Sequence, residues 1–139
     1  MRPLKRIHLC ILALALTAPP TMADVVAVVS AKSPITILSV SQVADIFLCK
    51  VSHFPNGAPV MPIDQAEESA ARDEFYNKVS GKSAAQIKAY WAKIIFTGRG
   101  QPPPTASNSV DMKKRISGNP AAIGYIDRSQ VDDTVKVVF

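Results

Sequence analysis

Between Val60 and Phe75 the chain brings a hydroxyl, an arginine and several backbone N–H groups into one short segment. An apolar strand pattern, Val60-Met61-Pro62-Ile63, breaks at Asp64-Gln65-Ala66-Glu67-Glu68 and restarts as a helix at Ser69-Ala70-Ala71-Arg72. The first N–H donors of a helix lack intrahelical partners and carry partial positive charge, so a strand-to-helix junction suits a bound oxyanion. Ser69, the N–H groups of Ala70 and Ala71, Arg72 and Gln65 are the candidate ligands, and Arg99 in a Gly98-Arg99-Gly100 loop is a sixth. Each also has a plain structural reading. Ser69 serves as a helix N-cap, Arg72 can pair with Glu68 four residues earlier, and Arg99 can be solvated. Asp64 and Gln65 read either as turn residues or as polar groups at the mouth of the site. Glu67 and Glu68 flank the same point and oppose an anion by an amount comparable to the helix end.

Other chemistries find less support. His53 has no identified serine partner, no Gly-x-Ser-x-Gly elbow occurs, and Glu67-Glu68 and Asp132-Asp133 are adjacent pairs rather than spaced to converge. No enzyme activity is expected. One cysteine and one histidine, Cys49 and His53, fall short of the four ligands a structural zinc takes, so neither metal nor cofactor is expected.

Positioning these groups requires a working domain. Arg2, Lys5 and Arg6, the apolar run Leu9–Leu16 and the small-residue end Thr21-Met22-Ala23 read as a secretory leader over residues 1–23. The expected mature chain, 24–139, is one domain in the periplasm, and the leader's apolar run is too short to span a bilayer. No membrane insertion is expected once the leader is gone. Three of the 16 basic residues and none of the 11 acidic ones lie in the leader, so the net charge of +5 falls to +2. That removes the compositional argument for nucleic acid. Cys49 would be the sole mature cysteine, without an internal disulfide, read as a buried small hydrophobe or a reactive thiol.

The β-branched run Val25–Val29 predicts a strand buried on both faces. Ser39 with Gln42, and Ser83 with Gln86, have capping-box spacing and predict two helices, the second with an Ile87, Tyr90, Trp91, Ile94, Ile95 stripe and Trp91 in the core. Between them a helix from Ser69 to Ser80 aligns Ala71, Phe75 and Val79 and stops at Gly81. Thr97–Pro104 predicts a loop without regular structure, Ser109–Ser117 a helix, and Ala122–Ile126 and Thr134–Val138 strands. The alternation argues for an α/β domain, a mixed sheet of about four or five strands covered by helices.

Four motifs in order, Asp45-Ile46-Phe47-Leu48-Cys49-Lys50, the Asp64–Phe75 junction, Gly98-Arg99-Gly100 and Ala121-Ala122-Ile123-Gly124-Tyr125-Ile126, make the chain resemble PstS-like phosphate-binding proteins of ABC uptake systems, type II periplasmic binding proteins. The resemblance covers nearly all of residues 25–138 and concerns mainly the second of that family's two lobes. It implies a single-lobe domain, a non-enzymatic solute-binding role, phosphate or another small oxyanion as ligand, and half of a binding site. Gln65 stands where the family has an arginine, and Ser69-Ala70-Ala71 where it has Ser-Gly-Thr. An ABC permease, a membrane sensor or a second copy are the partners this implies. A protein-interaction module with a decayed ligand site is the other reading.

Overall fold

A computed structural model describes residues 24–139; the leader expected over 1–23 lies outside the described residues. The central strand is β1, Val25–Ser30, whose six residues are all buried. It runs antiparallel to β5 (Ala122–Asp127) on one side and to β6 (Val135–Val137) on the other, while the short β2 (Met61–Pro62) adds parallel to the far edge of β5. The order β2-β5-β1-β6 is a mixed sheet of four strands. The expected α/β architecture is present.

Both faces of this sheet are covered, which is why β1 carries no polar alternation. Val25, Ala27 and Val29 face a core formed with α1 (Val40–Phe47), α2 (Ala70–Ser80) and α3 (Ala84–Phe96). Val26 and Val28 face the other way, onto Met112 and Ile116 of α4 (Ser109–Ser117). The caps follow the sequence: Ser39 and Ser83 form full capping boxes with Gln42 and Gln86, Ser69 accepts from the Arg72 N–H, and Gly81 closes α2 at φ 68°. Trp91 is buried, as the helical stripe predicts, whereas Ile95 of the same stripe is 55% exposed.

One feature departs from the predicted course. The strand pattern over Val60–Ile63 is realised in the main sheet only at Met61–Pro62, and the chain does not turn at Asp64. It shifts at Ile63, and Asp64–Gln65 become β3, paired in parallel with β4, Thr105–Ala106. Ile63 N–H still donates to Ile123 O, and Asp64 N–H turns to Pro104 O. The segment therefore leaves the main sheet within two residues and carries Asp64 under the start of α2.

Gly124 in β5 explains its residue type by proximity. A Cβ there would lie 2.5 Å from Met112 Sδ and 2.6 Å from Ile116 Cδ1, inside van der Waals contact with α4. Gly124→Ala is expected to destabilise the domain by about 1–3 kcal/mol through overpacking, read as a lower urea midpoint with unchanged slope.

Candidate functional site

Asp64 is 2% exposed, a carboxylate almost wholly removed from water. Such a group needs several donors to remain, and the fold supplies them from three elements. Tyr76 of α2 donates its O–H to Oδ2 at 2.6 Å, Tyr125 of β5 donates its O–H to Oδ1, and the Gln65 N–H reaches Oδ1 at 2.8 Å. Arg72 of α2, 8% exposed, approaches Oδ2 through Nε at 3.5 Å and lies over the Tyr76 ring, its guanidinium carbon 5.2 Å from the centroid. At that length, from one nitrogen, the arginine contributes charge more than a directed hydrogen bond. The phenols are the close donors.

Aromatic packing holds the phenols in place. Tyr125 stacks on Phe75 with centroids 3.9 Å apart and planes 6° from parallel, and Phe47 meets Phe75 edge-on at 4.8 Å. Burial first, and the Asp64 carboxylate second, push both the Tyr76 and Tyr125 phenols far above the usual tyrosine range. Both are firmly protonated donors.

Around this buried node five of the six sequence-derived candidates gather, each with its own partners. Gln65 donates from Nε2 to Tyr125 O at 2.9 Å and accepts at Oε1 from Ser69 Oγ at 2.7 Å. Ser69 Oγ also receives the Arg72 N–H at 3.4 Å, as an N-cap does. Arg72 pairs with Asp64 and not with Glu68, the partner that helix spacing offered; Glu67 instead meets Lys88 at 3.4 Å. Ala70 and Ala71 start α2, and their N–H groups have no acceptor among the described residues. The structure thus brings Gln65, Ser69, Ala70, Ala71 and Arg72 to one point. Arg99 is in another set, lining a cleft of about 560 Å³ with Cys49, Lys50, Tyr90, Lys93 and Ile94.

Cys49 departs from its expected burial. It follows the end of α1 in the left-handed region, φ 56°, and is exposed, because the chain reverses there and turns its side chain out of the Ile46-Phe47-Leu48 core. Its thiol points at Gln101 O, 4.0 Å away, and partial burial raises its pKa, so it is a protonated thiol rather than a ready nucleophile. Among the described residues no group of three or more His, Cys, Asp or Glu side chains is placed to hold a metal.

Sequence reasoning read Asp64 either as a turn residue or as a polar group at the mouth of the site, and gave Tyr76 and Tyr125 no part in it. A signal was present. Arg72, Phe75, Tyr76 and Val79 have the i, i+3, i+4, i+7 spacing of a buried helix stripe, and an arginine in such a stripe demands a buried partner.

No family model matches the chain, and comparison with curated proteins returns no match. Solved structures do match. A structure described as a phosphate ABC transporter substrate-binding protein with bound phosphate, from Clostridium perfringens, superposes with TM-score 0.67 at 24% identity, over 84% of this chain and 44% of that one. An ABC-type phosphate transport receptor from Vibrio cholerae gives 0.65 at 16% identity, over 84% and 46%. PstS from Borrelia burgdorferi gives 0.60 at 14%, again over 84% and 46%. The fold is that of part of a phosphate ABC transporter substrate-binding protein. The chain spans less than half the length of these solved structures.

Two expected outcomes follow from the Asp64 node. Asp64→Ala leaves Arg72 buried without a counter-charge and removes the acceptor of two phenols, so unfolding free energy should fall by about 3–5 kcal/mol in urea titration. Tyr76, Tyr90 and Tyr125, the three tyrosines of the chain, all have raised pKa values, burial being the first cause in each. The unfolded chain, whose tyrosines ionise near pH 10, therefore binds fewer protons at alkaline pH than the folded one. The stabilisation is complete below about pH 10 and is lost as pH rises beyond it. The phenolate absorbance of the buried Tyr76 and Tyr125 should appear only together with loss of secondary structure, whereas the partly exposed Tyr90 can ionise in the folded protein.

Proposed function

We propose that this chain is a non-enzymatic solute-binding-like module of the periplasm that offers a partial cradle for phosphate or another small oxyanion at the start of α2, binding weakly alone or more tightly with a partner subunit. The observation that carries this reading is the match over 84% of the chain to a solved phosphate carrier of which it covers 44%. The Ala70 and Ala71 N–H groups, without acceptors among the described residues, are the donors of the cradle. Ser69 and Gln65 join them once the bond between the two opens, and Arg72 adds positive potential from behind, already shared with Asp64. An ABC permease or a membrane sensor is the partner this role calls for. Exported by the leader expected over residues 1–23, the domain would act in the periplasm, and no helix among the described residues is long and apolar enough to cross a membrane.

A second reading rests on a specific observation. Gln65, Ser69 and Arg72 all spend their polar groups inside the chain. A lobe kept for its surface, docking on an envelope protein with its ligand site lost, would look the same.

A helix end contributes on the order of 1 kcal/mol to an exposed anion, against about 8 kcal/mol for micromolar affinity. Isothermal titration of the monomer with phosphate is therefore expected to show no submicromolar binding, and a submicromolar Kd would overturn the half-site account. The triple variant Gln65→Arg, Ala70→Gly, Ala71→Thr restores the residues of the family motif and should bind phosphate measurably more tightly than the parent. If it shows no anion binding at all while remaining folded, the interaction reading replaces the first.

A further inference from the structure

The C-terminal half of α3 and the loop after it form a surface that neither the fold nor the oxyanion site uses. Phe96 is 92% exposed and Ile95 55%, at the tip of a helix whose outer face also carries exposed Ala85, Ala89 and Ala92. A helix apolar on its solvent side as well as its core side has an unpartnered face. A basic cleft lies on a flank of the same helix end. Lys50, Lys93 and Arg99 are exposed and line one cleft with Tyr90, which is fixed by donating its O–H to Leu48 O at 2.6 Å. None of the three forms an ion pair with a carboxylate among the described residues; the nearby Lys88 is the one that does, with Glu67.

We propose that this end of the molecule adsorbs to an anionic phospholipid bilayer, with Phe96 and Ile95 entering the headgroup boundary and Lys50, Lys93 and Arg99 on the lipid phosphates. Charge complementarity selects this occupant. A two-fold contact between copies centred on Phe96 would press Lys93 and Arg99 against their own counterparts, whereas an anionic surface offers each cation a counter-charge. An aromatic tip beside a basic cleft is also the composition that lies in the interface plane without spanning it. The proposal does not depend on the oxyanion site, since Phe96, Ile95, Lys50 and Lys93 have no part in it.

The test uses the full chain with large unilamellar vesicles of phosphatidylglycerol and phosphatidylcholine mixed, and of phosphatidylcholine alone. Co-sedimentation is expected with the anionic vesicles, to weaken as salt is raised, and to fall roughly tenfold in the double variant Ile95→Ser, Phe96→Ser. Both positions are exposed, so an unchanged circular dichroism spectrum and urea midpoint should accompany the loss. Phe96→Trp supplies a local readout over the constant background of buried Trp91: its emission should move to shorter wavelength with anionic vesicles and stay put with neutral ones. Binding without that shift would mean that another segment, residues 1–23 included, makes the contact, and would overturn the proposal. Equal sedimentation with neutral vesicles, or none with anionic ones at low salt, would do the same. A dimer by light scattering that the double serine variant dissociates would assign the surface to a second copy instead.

Discussion

A carboxylate taken out of water must be surrounded by donors, and Asp64 imposes that condition on three elements at once. Tyr76 and Arg72 have to come from one turn of α2, Tyr125 from β5, and the Gln65 N–H from the strand that carries Asp64 itself. Each donor is costly to leave unmet in a low-dielectric interior, so the set is satisfied together or not at all. That fixes the distance and rotation of α2 relative to the sheet. The aromatic stack of Tyr125 on Phe75, with Phe47 at its edge, supplies the apolar half of the same junction.

The node determines what the start of α2 has left to offer a ligand. Arg72, whose charge would be the main attraction for an oxyanion, faces inward onto Asp64, so the pair presents little net field outward. Gln65 and Ser69 close on each other and on Tyr125 O, which makes the junction a satisfied polar network without any guest. Backbone amides are what remain outside that network. A helix N-terminus on its own is a weak anion site, because water competes for the same donors and Glu67 and Glu68 stand beside it, both exposed. The proposed weak binding and the proposed need for a second surface would thus be two aspects of one internal arrangement.

Elements defined by local chemistry were legible in the sequence. The capping boxes at Ser39 and Ser83, the N-cap at Ser69, the stop at Gly81 and the all-apolar β1 depend on residues at most a few positions apart, and each appears where its spacing puts it. Asp64 was not legible. Its decisive partners lie 12 and 61 residues along the chain, and a charged residue after Pro62-Ile63 looks locally like the end of a strand. The two-residue β3–β4 ladder was hidden for the same reason, since Thr105–Ala106 is too short to carry a period of its own. Cys49 misled because its three apolar predecessors are core residues, while a left-handed backbone at the helix end sends the side chain outward. Arg99 had the right type for anion contact, yet the glycines beside it carry it to the cleft with Cys49 and Lys93.

The same contrast separates the two ends of the molecule. At the start of α2, polar side chains are paired off inside the domain and the surface is left with amides alone. At the end of α3, three cations remain without carboxylate partners among the described residues and two large apolar side chains remain in water. Hydrophobic area that folding does not bury contributes nothing to domain stability and works against solubility, so the proposed contact outside the chain would offset that cost. The interior around Asp64 is thus satisfied within the chain, and the α3 tip is a place where association with another surface would release free energy.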